Sequence, residues 1–220
     1  MKYLLSPSLL SADFTKLDRE IKICEENKVP YLHIDVMDGM FVPNISIGIP
    51  VIKSIRKITD LVLDVHLMIV KPERYIEAFA EAGSDIINIH YEATDDCIPV
   101  LKKIKNLGKK SAVTIKPKTS YKDVLHLAEY VDMFLVMSVE PGFGGQSFIE
   151  STLKNVEGLA EYRAKNSFNY DIEIDGGINL NNLTRPLNAG ANVIVAGSAI
   201  FSKEDTVDRI IQFNEIMCKY

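Results

Sequence analysis

The chain has 220 residues, 47% of them hydrophobic and 25% charged, with a formal net charge of −5 at pH 7. This is an ordinary globular composition with enough apolar residues for a sizeable core. Acidic and basic residues are interspersed with no basic block, which argues against nucleic acid as a partner. An anionic small molecule stays compatible, because glycine turns bind anions whatever the net charge.

The first apolar run, Tyr3–Leu5, lies in MKYLLSPSLLSADF, too short and too interrupted for a signal peptide or membrane span. No membrane association is expected. Asp13–Asn27 then places Phe14, Leu17, Ile21 and Cys24 at helical spacing. Two further runs, Tyr31–Asp35 and Leu61–His66, read as strands. Pro72 opens a helix with Tyr75, Ile76, Phe79 and Ala80 on one face and Gly83 at its end. Ile86–His90 is followed by a helix over Asp96–Leu107, ended by Gly108. Ser111–Ile115, Met133–Met137 and Asp171–Asp175 are the next strands. A helix over Leu180–Ala189, ended by Gly190, feeds Val193–Ala196, and Thr206–Lys219 closes the chain as a helix.

Several of these eight runs lack alternation, as strands buried on both faces do. Eight strand–helix units predict a (β/α)8 TIM barrel forming a single domain over residues 1–220. An open doubly wound sheet is the alternative. It usually carries glycines after its first strand, where this chain has Ser6-Pro7-Ser8. Cys24, Cys97 and Cys218 are far apart and odd in number, as expected of reduced thiols in a cytoplasmic protein.

Polar groups cluster at the ends of the runs. His33 and Asp35 are two apart and so share a strand face, as do Asp64 and His66; Asp175 ends a later run. A lone buried His reads as hydrogen-bonded core. Two His and two Asp (His33, Asp35, His66, Asp175) at the ends of three runs read as a divalent metal site. Such a site suits zinc, and less selectively manganese, iron or cobalt. His90 reads as structural or as a support behind the ligands, and His126 as a surface residue. Met37, Met68 and Met137 fit either gap-filling core or an apolar cap over a developing anion.

Three glycine turns follow the last three runs: Pro141-Gly142-Phe143-Gly144-Gly145, Gly176-Gly177 and Gly197-Ser198. Glycine there lets backbone N–H groups approach a phosphate, a recurrent use of late barrel loops. Ser147 stands where a G-x-G-x-x-G fingerprint needs glycine, so a dinucleotide reading is poor.

The segments SPSLLSADF, HIDVMDGMFVPN, DVHLM, MSVEPGFGGQSF, EIDGGI and AGSAIF closely resemble the ribulose-phosphate 3-epimerase family, from the first strand to the last. The resemblance implies a barrel that interconverts D-ribulose 5-phosphate and D-xylulose 5-phosphate in the pentose phosphate pathway. It implies one divalent metal on His33, Asp35, His66 and Asp175. Asp35 and Asp175 would be the acid/base pair on the two faces of C3, with an enediolate between the two transfers. Ser8 matches a substrate-contacting serine, and the three methionines match residues over the intermediate. Gly142, Phe143, Gly144, Gly145, Gly176, Gly177, Gly197 and Ser198 match the phosphate region. A homo-oligomer acting on a phosphorylated ketose is expected. Lys116 stands where the family usually has Asn, placing a cation near the barrel mouth, and His66–Pro72 is one residue longer than the common form. The rivals are an epimerase of the six-carbon D-allulose 6-phosphate, a decarboxylase-like barrel, and a non-catalytic sugar-phosphate-binding barrel. The decarboxylase pattern would need Lys where His66 stands.

Overall fold

A computed structural model describes residues 2–201 and 205–220. Its strands are β1 (Leu4–Pro7), β2 (Tyr31–Met37), β3 (Val62–Met68), β4 (Ile86–His90), β5 (Lys110–Ile115), β6 (Met133–Met137), β7 (Asp171–Asp175) and β8 (Val193–Ala196). All are parallel and paired in sequence order, with β1 beside β8. A parallel bridge between Ser8 and His33 joins β1 to β2 and closes the ring. The (β/α)8 barrel is therefore observed. Its strands are buried on both faces because one face meets the barrel interior and the other meets the helices.

The helices are α1 (Leu17–Glu26), α2 (Ile49–Ile55), α3 (Ile76–Ala82), α4 (Cys97–Asn106), α5 (Tyr121–Val124), α6 (Leu153–Asn166), α7 (Thr184–Ala189) and α8 (Thr206–Met217). Three of them, α2, α5 and α6, are absent from the sequence reading. Of these, α5 is a single turn, too short for a periodic signal to build up. The longest, α6, carries Gly158 at its middle, a residue that weakens any helix signal. The structure gives that glycine a reason. A Cβ there would lie 2.4 Å from the Tyr121 ring, so its bareness lets α6 pack against the start of α5. The predicted helix over Leu180–Ala189 forms only from Thr184.

Three levels fill the barrel. Tyr31, Ile86, Ala112, Met133 and Val193 pack into an apolar floor at the amino ends of the strands. Ser6, His33, Asp64, Asn88, Thr114 and Glu173 form a wholly buried polar middle. Asp35, His66, His90 and Asp175 stand above them at the carboxyl ends, where barrel loops gather.

Candidate active site at the carboxyl end of the barrel

The four predicted ligands meet. One nitrogen or oxygen from each of His33, Asp35, His66 and Asp175 lies within 4.8 Å of the others. His33 Nε2 is 3.3 Å from His66 Nδ1, 3.4 Å from Asp35 Oδ1 and 4.0 Å from Asp175 Oδ2. His66 Nδ1 is 3.2 Å from Asp35 Oδ1. Ser8 Oγ donates to Asp35 Oδ2 at 2.6 Å, so the strand that closes the barrel also steadies this carboxylate.

The charges in this cluster are unlike. Burial opposes ionisation of Asp35, but the charge and hydrogen bonding of the adjacent His33 outweigh it and hold Asp35 well below the usual carboxylate range. Asp175 shows the reverse balance. Burial and the neighbouring Asp35 charge push it up to about 6. Burial alone would favour a neutral His33, yet Asp35 and Asp64 hold its proton on well above the ordinary imidazole range. The field that keeps a proton on His33 would equally attract a divalent cation. Two imidazoles and two carboxylates around one point are a fitting donor set for it.

The cluster opens into a cavity of about 280 Å³. Met37, Met68 and Met137 wall it on one side, each buried, with Leu10 and Phe41 packed against the first two. Ser8, Ser11, Gly142, Phe143, Gly144, Gly145, Gly176, Gly177, Gly197 and Ser198 complete the wall. Every predicted site residue is thus in the cluster or on this wall. Phe143 is 53% exposed and sits at the rim.

The glycines differ in what they do. Gly177 has φ +67, and a Cβ there would lie 2.5 Å from Phe148 N, so the fold itself requires it. Gly144 has no such constraint, since its nearest neighbour would be Ser11 Oγ at an ordinary 3.5 Å. Ser138 Oγ donates to the Gly176 carbonyl at 2.7 Å and fixes the turn after β7.

Several supports escaped the sequence reading. Asp64 accepts from His33, its Oδ2 2.7 Å from His33 Nδ1, in the manner that orients metal-binding imidazoles. The signal is the β2–β3 register, which sets His33 opposite Asp64 and cannot be seen along one strand. Glu173 lies 3.7 Å from the same nitrogen, and burial and Asp64 push it well above the carboxylate range. His90, expected to be structural or a support behind the ligands, is fully buried behind His66, and burial lowers it to about 4, leaving it neutral. Burial pushes Glu92 upward, but hydrogen bonds from His90, Thr119 and the Lys116 N–H outweigh this and hold it down at about 2. Lys116 is near the mouth as expected, but its ammonium sits 3.9 Å from the Phe41 ring centroid, outside the cavity wall. His126 is exposed.

A model of the ribulose-phosphate 3 epimerase family matches residues 4–201. The ribulose-phosphate 3-epimerase of Bacillus subtilis is 46% identical over 204 residues, spanning 91% of this chain and 93% of that protein. That of Synechocystis is 45% identical over 94% of this chain and 90% of its own length. The chloroplastic ribulose-5-phosphate-3-epimerase of Arabidopsis thaliana is 45% identical over 94% of this chain and 74% of its own. Among solved structures, 3-hexulose-6-phosphate synthase of Salmonella typhimurium superposes with a TM-score of 0.72 at 18% identity, covering 100% of this chain and 99% of that one. At that identity the likeness is one of fold.

Proposed function

This chain belongs to the ribulose-phosphate 3-epimerase family and is an isomerase, and we propose that it interconverts D-ribulose 5-phosphate and D-xylulose 5-phosphate by two-carboxylate proton transfer at C3. One observation carries the mechanism: Asp35 and Asp175 face a common cavity with unlike proton affinities. Epimerisation needs a group that takes a proton on one face of the carbon and another that gives one on the opposite face.

In this reading Asp35, ionised, takes the C3 proton, and Asp175, whose proton affinity is raised to about 6, returns one to the other face. The roles exchange in the reverse direction. An enediolate stands between the two transfers. His33, Asp35, His66 and Asp175 would hold a divalent ion, zinc by their donor types, whose positive charge offsets the negative charge growing on the sugar oxygens. The three methionines exclude water from the reacting carbon. The glycine turns take the phosphate, whose binding away from C3 helps orient it. Cytoplasmic location and a homo-oligomeric state belong to the same reading, the first supported by three free cysteines, two of them buried. No helix among the described residues is long and apolar enough to cross a membrane.

Turnover of ribulose 5-phosphate in deuterium oxide tests the chemistry. Deuterium is expected at C3 of the xylulose product, and product formed without deuterium would exclude a solvent-exchanging carboxylate pair. Side-by-side turnover of allulose 6-phosphate decides the sugar. Elemental analysis after chelator-free purification is expected to find about one divalent ion per chain.

A further inference from the structure

A hydrogen-bonded chain runs away from the cavity behind His66. His66 Nε2 and His90 Nε2 are 2.9 Å apart, with the two rings stacked at 4.9 Å between centroids. His90 Nδ1 lies 3.2 Å from Glu92 Oε2. The other carboxylate oxygen, Glu92 Oε1, accepts from the Lys116 backbone N–H at 2.8 Å and from the Thr119 hydroxyl. The Phe41 ring packs on His90 with centroids 4.7 Å apart.

These contacts favour one arrangement of protons. A backbone N–H can only donate, so Oε1 is an acceptor. An ionised carboxylate offers Oε2 as an acceptor too, and His90 therefore donates from Nδ1. Its Nε2 then carries a lone pair and accepts from His66 Nε2–H. His66 is left with its own lone pair on Nδ1, 3.2 Å from Asp35 Oδ1, and His33 Nε2 lies between these two acceptors, 3.3 Å from the nitrogen and 3.4 Å from the oxygen, in reach to donate to both. The opposite arrangement would set the lone pair of His90 Nδ1 against the negative Oε2.

We propose that Glu92 is a positioning residue that acts through His90 to fix the tautomer of His66, so that His66 Nδ1 presents a lone pair toward the cluster of Asp35, His33 and Asp175. The inference rests on reading that cluster as a divalent metal site. It makes the two histidine ligands unlike. His33 is set by a carboxylate in direct contact, Asp64, whereas His66 is set by a carboxylate one imidazole away. Glu92 itself is outside the cavity wall.

Glu92→Gln tests this with little change of shape. The Lys116 N–H and Thr119 hydroxyl both call for an acceptor, so the amide oxygen takes the Oε1 place. The NH2 group then faces His90 Nδ1 and donates to it, which reverses each bond in the chain. Long-range proton–nitrogen NMR spectra of 15N-histidine-labelled, chelator-treated full chain read the tautomers directly. His66 is expected to carry its proton on Nε2 in the natural chain and on Nδ1 in the variant. Zinc titration against a chromophoric chelator is expected to show binding ~10–100-fold weaker in the variant, the usual cost of losing such a support. Lys116→Met keeps the backbone N–H and should leave both readouts as they were. A natural chain with His66 protonated on Nδ1, or a variant with His66 unswitched, overturns the proposal, and the first result needs no variant to fold. So does a switched tautomer with unchanged zinc affinity. If the natural chain binds neither zinc nor cobalt, the metal reading falls, while the tautomer spectra still decide the role of Glu92.

Discussion

The two ends of the barrel are built on opposite physical terms. The floor is Tyr31, Ile86, Ala112, Met133 and Val193, apolar side chains shut away from water. The mouth holds Asp35, His66, His90 and Asp175 beside the glycine turns, and Asp35 and His90 stand on the same strands, β2 and β4, as Tyr31 and Ile86 of the floor. Burial stabilises the floor outright. At the mouth it works against the charged forms, and only mutual compensation among imidazoles and carboxylates keeps the charges there. The floor should therefore answer mutation in stability and the mouth in activity.

The largest expected effect lies at the mouth. Asp175→Asn keeps the size of the side chain but removes a proton carrier, and turnover should drop by ~10²-fold or more. Asp35→Asn should do the same. Stopped assays with thermal melts alongside check this, and normal turnover by both variants would sink the two-carboxylate mechanism. Asp175→Asn should move the melting temperature little, because burial already favours the neutral form of Asp175, whereas Asp35→Asn should lower it, because His33 loses its buried partner.

At the floor the pattern should invert. Ile86 is 1% exposed. Ile86→Ala should cost roughly 2–5 kcal/mol of stability. At about 2–4 °C per kcal/mol for a chain of this size, calorimetry would see the shift easily. KM and kcat below the melting range should stay near natural values. A large KM change here would blur the division between the ends.

A third experiment divides the glycine turns themselves. A Cβ at Gly144 meets no protein atom closer than ordinary contact, so the harm of Gly144→Ala should fall on phosphate binding. KM should rise by about tenfold, one 1.4 kcal/mol step, with melting unchanged. Gly177→Ala should instead lower the melting temperature, because its Cβ would strike Phe148 N. Equal kcat/KM for ribulose and its 5-phosphate would assign all these glycines to the fold.

The smallest effect concerns pH. Glu92 is held at about 2, below its ordinary 4.5, so its ionised form is favoured by folding. Its stabilising contribution is full above about pH 4.5 and fades as pH falls toward 2. The stability gap between the natural chain and Glu92→Gln, measured by denaturant titration, should shrink across that window. A gap that widens on acidification would contradict the sign.

The barrel and the ligand set were legible along the chain because both rest on short-range signals. Buried strands read as apolar runs, and His33 with Asp35 showed a shared strand face through their spacing of two. Four strands, Ile86–His90, Met133–Met137, Asp171–Asp175 and Val193–Ala196, form over the predicted residues. Helix α6 was hidden by Gly158, whose purpose lies in Tyr121, a residue far away in sequence. The supports of the site were hidden for the same reason. Asp64 serves His33 across the β2–β3 register, Ser8 serves Asp35 where β1 closes the ring, and Glu92 is tied to the Lys116 backbone.

The sequence by itself determined which residue types could do chemistry and on which strand faces they would stand, because a strand's period of two is a local property. Only the tertiary structure decided which carboxylate holds a proton more tightly. The pKa of Asp175 depends on its distance from Asp35, set by strands β2 and β7. Electrostatic balance in a buried site is a sum over neighbours in space.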